Sequence, residues 1–265
     1  MKNLLRFEFR KMFRRSSLYI CLGAAVATAV LTVFTTYSMY KIFMEDISTM
    51  QSFSSSDLAA LAGFTQLDGW GQMLIALTSS SPVMLMGIFI ALLVCSDYSS
   101  KTAKNIIGRG YSRTGWLSAK LAAVGCACLL FSAVTMLAGF LSGTIFWEAG
   151  EFRGRYIVLI LLQLLIMMGY AAVFVFWSVL LRSSGGAIAL NLVFPTTLSL
   201  ILTVLDLLIF EENGKITRFW LSGAMQTAAG VSADGKDLWL AALAGVLYTV
   251  VFTGLSYMIV NKRDV

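Results

Sequence analysis

The chain of 265 residues contains no histidine. That absence removes imidazole as a general base, a proton relay or a zinc ligand, and with it the Ser-His-Asp and Cys-His arrangements that depend on one. Cysteine is sparse too, at four residues, and proline sparser, at two. Cys21, Cys95, Cys126 and Cys128 all fall inside or at the ends of apolar runs. There a thiol serves as a small hydrophobe, so neither a disulfide framework nor a metal site is implied. Charged residues make up 13% of the chain, against roughly 25% in soluble domains. No Gly-x-x-x-x-Gly-Lys-Ser/Thr run is present to cradle phosphates, and no Gly-x-Ser-x-Gly elbow to expose a nucleophilic serine. The chain is therefore not expected to be an enzyme, nor to bind nucleotide, metal or nucleic acid by itself.

What fills the sequence instead is apolar: 58% hydrophobic residues with a mean hydropathy of +0.81. A hydrocarbon core of about 30 Å needs about 20 apolar residues per helix. Six such runs can be placed, at 18–40, 73–95, 119–146, 156–181, 186–210 and 238–260. The second is interrupted by Thr78-Ser79-Ser80-Ser81-Pro82. Val83 to Val94 alone would give about 18 Å of helix, too short to cross. Met73 to Leu77 is therefore expected to supply the outer turns of one continuous, kinked span. The first run is longer than a signal-peptide core and lacks a small-x-small cleavage site, so it reads as a retained anchor. The fold class expected is an all-α integral membrane protein forming a single transmembrane domain over 1–265.

Charge sets the expected orientation, because Lys and Arg are retained on the cytoplasmic side. With the N-terminus inside, the inner segments hold fourteen basic and three acidic residues, and the outer segments six and ten. Asp206 lies within the fifth span and is expected to reach the outer interface. Both termini are expected to be cytoplasmic, in a cell membrane.

Between the spans, three segments carry pattern. In residues 2–15, Leu5, Phe9, Met12 and Phe13 share one face at helical spacing, opposite Arg6, Arg10, Lys11 and Arg14. That reads as an amphipathic helix lying on lipid, although a basic topogenic tail fits the periodicity equally. In the inner loop, a short helix over Lys101 to Ile107 is expected, capped by Ser99 or Ser100 and ended at Gly108 or Gly110, with Ser112 capping the third span. In the outer loop 211–237, Ile216 to Ala228 is apolar but too short to cross, which suggests a re-entrant segment. A further short surface helix is expected around Leu58, Leu61 and Phe64. At membrane depth Gln163, Asn191, Thr196, Thr197 and Thr203 could line a pathway, although hydrogen bonding between helices is the commoner role of such residues. Pro195 is expected to kink the fifth span, and Gly139-x-x-x-Gly143 permits close helix approach.

The run Asp97-Tyr-Ser-Ser-Lys101-Thr102-Ala-Lys104-Asn105, followed by Gly110-Tyr111-Ser-Arg113 and Lys120, resembles the loop between the second and third helices of permease subunits of type-2 ABC exporters. Those show an acidic residue, then Gly-Thr, a basic residue, Ser-Arg, and a Lys seven positions later; here Lys101 stands where the Gly is usual. Phe9-Arg10-Lys11 looks like that family's elbow helix, and Asn261 to Val265 like its cytoplasmic end. The resemblance implies that Asp97, Lys101, Thr102, Lys104, Asn105, Ile106, Ile107, Arg109, Tyr111, Arg113 and Lys120 form a coupling element contacting a cytoplasmic ATPase subunit. ATP and Mg would be held by that partner, and a second copy or a paralogue would complete the pathway. It further implies export of a peptide, an antimicrobial or a lipid-like compound. A secondary transporter or channel without an ATPase, and a membrane scaffold or sensor, are the rival readings.

Overall fold

The computed structural model describes residues 2–49, 68–210, 215–231 and 233–262. The surface helix expected around Leu58, Leu61 and Phe64 lies outside the described residues. So do the last three residues of the expected cytoplasmic end, 263–265. Among the described residues all regular structure is helical: α1 (Lys2–Phe13), α2 (Ser16–Thr49), α3 (Gly69–Thr78), α4 (Ser80–Ser99), α5 (Thr102–Gly108), α6 (Arg113–Phe146), α7 (Arg155–Leu181), α8 (Ser184–Phe210), a 3-10 turn at Thr217–Phe219, α9 (Leu221–Ala229) and α10 (Gly235–Lys262). Helices close their backbone hydrogen bonds within themselves, which is what a lipid solvent demands.

Among the described residues, six helices are long and apolar enough to cross a membrane: Ser16–Glu45, Ser80–Ser99, Arg113–Phe146, Arg155–Leu181, Ser184–Ile209 and Gly235–Lys262. The chain is a multi-pass, all-α membrane protein. Its central layer is α4, α6 and α7, whose Phe89, Phe131, Phe174 and Leu159 are fully buried. Toward the outside, α2, α8 and α10 expose broad apolar faces, including Leu31, Leu200 and Leu247.

The second span departs from expectation. Residues 73–95 are not one kinked helix; Ser79, extended at φ −62° and ψ 141°, separates α3 from α4. The hydroxyls of Thr78 and Ser79 donate to the carbonyls of Ile75 and Ala76, an alternative to continuing the helix that favours termination. A new helix then starts at Ser80, which places Pro82 in its first turn, where a missing N–H forfeits no helical bond. At 20 residues, α4 runs about 30 Å and can span by itself.

The displaced helix α3 lies antiparallel on the C-terminal half of α6, seated on Gly139 and Gly143. A Cβ at Gly139 would stand 2.6 Å from the Cβ of Ala76 and 2.9 Å from the Gln72 carbonyl oxygen. One at Gly143 would stand 2.8 Å from the Gln72 Cβ. Glycine is needed here for contact rather than for turning.

Residues 215–231 form the re-entrant segment. Its start is pinned near the C-terminal end of α8 by Asp206, whose carboxylate accepts from the Ile216 N–H at 2.6 Å, the Thr217 N–H at 2.8 Å and the Thr217 hydroxyl at 2.6 Å. Asp206 is fully buried, its carboxylate spent on this turn. Next, Trp220 is buried among Tyr170, Phe194 and Tyr248. Leu221 meets Gly169, roughly 21 Å along α7 from Arg155 at 1.5 Å per residue. α9 then climbs back, and the Ala233 carbonyl accepts from Arg155 at the N-terminal end of α7.

Candidate functional site

Among the described residues, polar groups also gather at the basic end of the bundle and at a cavity beside the α3–α4 break. At the basic end, α1 folds against α6 through a buried face of Leu4, Glu8 and Met12. The expected stripe is thus rotated by about one residue. Leu5 and Phe9 flank the contact, Met12 is within it, and Phe13 is 43% exposed. The reason is Glu8, which is fully buried and accepts from Lys120 at 2.5 Å. The Lys120 ammonium also sits 2.6 Å from Asp97, whose other oxygen accepts from Lys11. Four side chains of alternating sign from α1, α4 and α6 therefore close one ion-pair cluster. Arg15 adds a hydrogen bond to the Leu92 carbonyl at 2.7 Å. Removal from water, and then the proximity of Lys120, lower the Lys11 pKa to about 8.

This corrects the docking set. Asp97 and Lys120 are completely buried in the chain's own charge cluster and offer nothing to a partner. Above the cluster, α5 stands out from the bundle with Lys101, Lys104, Asn105 and Arg109 exposed. Thr102, Ile106, Ile107 and Tyr111 are half-buried, and Ala103 is the buried contact with the bundle. Ser112 caps α6 by accepting from the Gly115 N–H at 3.0 Å, as expected from the sequence. At its start α5 differs, because Lys101, not Ser99 or Ser100, occupies the cap, in the left-handed conformation at φ 55°. Arg113 reaches the Asn261 carbonyl at 3.4 Å, tying the end of α10 to the same face. Between α1 and α5 runs a groove of about 310 Å³, lined by Phe7, Asn105, Ile106, Arg109 and Tyr111 among others.

The second place is a cavity of about 480 Å³ at the α3–α4 break, walled by α8 and by the re-entrant α9. Of the five residues read as pathway-lining, Asn191, Thr196 and Thr203 border it, and Gln163 and Thr197 do not. Gln163 is buried elsewhere, donating to the Leu74 carbonyl at 2.9 Å, and so joins α7 to α3. Thr197 is on the exposed face of α8. Asn191 donates to the Gly87 carbonyl at 3.0 Å, joining α8 to α4. Thr78, Ser80, Ser199, Ser222 and Gln226 complete the polar lining. They come from four separate elements, so sequence reasoning had no periodicity by which to group them. Glu8 did carry a legible signal, as an acidic residue alone among six basic ones and spaced four from Leu4 and Met12.

A family described as "Protein of unknown function (DUF2705)" matches residues 53–265 of the chain. No curated protein matches it.

Proposed function

Because the chain belongs to the DUF2705 family, whose description assigns no activity, we propose from its own geometry that it is the membrane-spanning subunit of an ATP-driven exporter of the type-2 ABC class. Both termini lie in the cytoplasm, a separate ATPase subunit carrying ATP and Mg docks on α5, and a second copy or a paralogue completes the pathway for a peptide, antimicrobial or lipid-like cargo. The reading is carried by one observation: a short basic helix with Lys101, Lys104, Asn105 and Arg109 exposed stands on a buried ion-pair cluster.

A coupling element must receive force and pass it on. Exposed cations suit an acidic rim on the partner, and the groove beside α1 suits an apolar side chain. Transmission follows from the cluster below. Separating Lys120 from Glu8 and Asp97 would leave charges buried without partners, which costs about 3–5 kcal/mol. α1, the end of α4 and the start of α6 therefore move as a unit when α5 is pushed. Such rigid-body displacement is how nucleotide-driven closure of an ATPase dimer would reach the spans. The sidedness of charge supports the cytoplasmic placement of this end.

The test is co-purification. Tagged chain, expressed with its genomic neighbours, should recover an ATPase, and Lys101→Glu with Lys104→Glu should abolish the recovery while leaving membrane insertion intact. Recovery of no ATPase by the wild-type chain would overturn the proposal.

A further inference from the structure

We infer that the cavity at the α3–α4 break is a binding site for an uncharged amphiphile with a hydroxyl-bearing headgroup, entering from the lipid side. The volume, about 480 Å³, lies within the roughly 300–1,000 Å³ range of small-molecule sites. Its lining contains no ionisable group of either sign other than the tyrosine hydroxyl of Tyr170. Within this lining a charged headgroup would meet no counter-charge, so the site selects against phosphate, carboxylate and ammonium alike.

Ser80 and Gln226 can donate into the cavity, but its threonines are biased toward accepting. Three threonine hydroxyls that line it have already committed their protons to their own helices: Thr78 to the Ile75 carbonyl, Thr196 to Leu192 and Val193, and Thr203 to Ser199. Each keeps lone pairs to offer. Asn191, fully buried, spends its amide N–H on Gly87 and leaves its side-chain oxygen without a hydrogen-bond donor. A buried acceptor without a donor is costly, and a ligand that brings O–H groups removes that cost. Glycerol and sugar headgroups do so without bringing charge. Leu200 borders the cavity and is 66% exposed on the outside of α8, so on this proposal an acyl chain stays outside the bundle while the headgroup enters.

Binding at this cavity goes beyond the exporter reading and needs no ATPase, so each can fail alone. The probe is a monoacylglycerol with a diazirine in its acyl chain, photolysed against the full chain in lipid nanodiscs without ATP. Saturable crosslinks should map to α8 near Thr196 to Thr203 and to α9 near Ser222 to Gln226, and unlabelled monoacylglycerol should compete. The matching methyl ester, which lacks donors, and the matching phosphatidic acid should compete at least about tenfold less well. Asn191→Leu should abolish saturable labelling. Because it also removes the bond to Gly87, Thr196→Val and Thr203→Val serve beside it, each lowering affinity about fivefold, the worth of one neutral hydrogen bond. Equal labelling by the methyl ester, stronger competition by phosphatidic acid, or unchanged affinity in both threonine variants would overturn the assignment.

Discussion

Lys101 adopts φ 55° at the junction of α4 and α5, a conformation that costs a residue with a Cβ roughly 1–2 kcal/mol relative to glycine. The backbone sets this conformation, because only Ser100 and Lys101 join the end of one helix to the start of the next. Lys101→Gly is expected to raise the thermal unfolding midpoint of the detergent-solubilised chain, whereas Lys104→Gly, inside α5, should lower it by the ordinary helix penalty of about 1 kcal/mol. A fall on Lys101→Gly would mean that the lysine side chain, not the backbone, holds the junction. Residue identity alone did not distinguish Lys101 from Lys120. Both are cations flanking the same short helix, yet one is exposed and the other fully buried between Glu8 and Asp97. Only the approach of α1, more than a hundred positions away in sequence, decided it.

At the scale of elements, the break at Ser79 has the largest consequences. It turns the outer part of the second span into a separate helix, α3, and opens the wall of the cavity at Thr78 and Ser80. Expecting one kinked helix followed from counting apolar residues only from Val83, whereas α4 in fact begins at Ser80 and uses Pro82 as a first-turn residue. α3 is then held by packing against the Gly139 and Gly143 notch, so small additions there should be felt. Gly139→Ala is expected to destabilise by about 1–3 kcal/mol, because its Cβ would press on Ala76 and on main-chain atoms that cannot rotate away. Gly125→Ala on the same helix meets only the flexible end of Met168, at 3.6 Å, and should be neutral or slightly stabilising through helix propensity. Thermal unfolding of the two variants side by side checks the difference; equal effects would remove the notch as the reason for the glycine. The notch pattern was visible in the sequence, but its occupant was not, since any close helix would have satisfied it.

For the whole molecule, contacts sort the connecting segments into two ends. Lys11 with Asp97, Arg113 with Asn261, and Arg182 over the Tyr98 ring at 5.3 Å gather at the basic end. Gly69 with Glu148, Tyr156 with Asp68, and Arg155 with Ala233 gather at the other. If the basic end is cytoplasmic, a cysteine introduced at exposed Lys104 should react with a membrane-impermeant maleimide only in inverted vesicles, and one at exposed Glu151 only in intact cells. The opposite pattern would invert the topology and remove the ATPase proposal with it. The sequence by itself determined that the chain is helical, how many helices are long enough to cross, that one outer segment is too short to do so, and how charge is divided between the ends. Each of these is a sum over neighbouring residues that a bilayer imposes locally, through span length and the cost of moving charge. The tertiary structure alone decided which polar groups meet. Glu8, Asp97 and Lys120 became a buried cluster, Gln163 a strut between helices, and Asn191 a cavity wall, because low-dielectric burial and hydrogen bonding depend on neighbours that sequence distance does not specify.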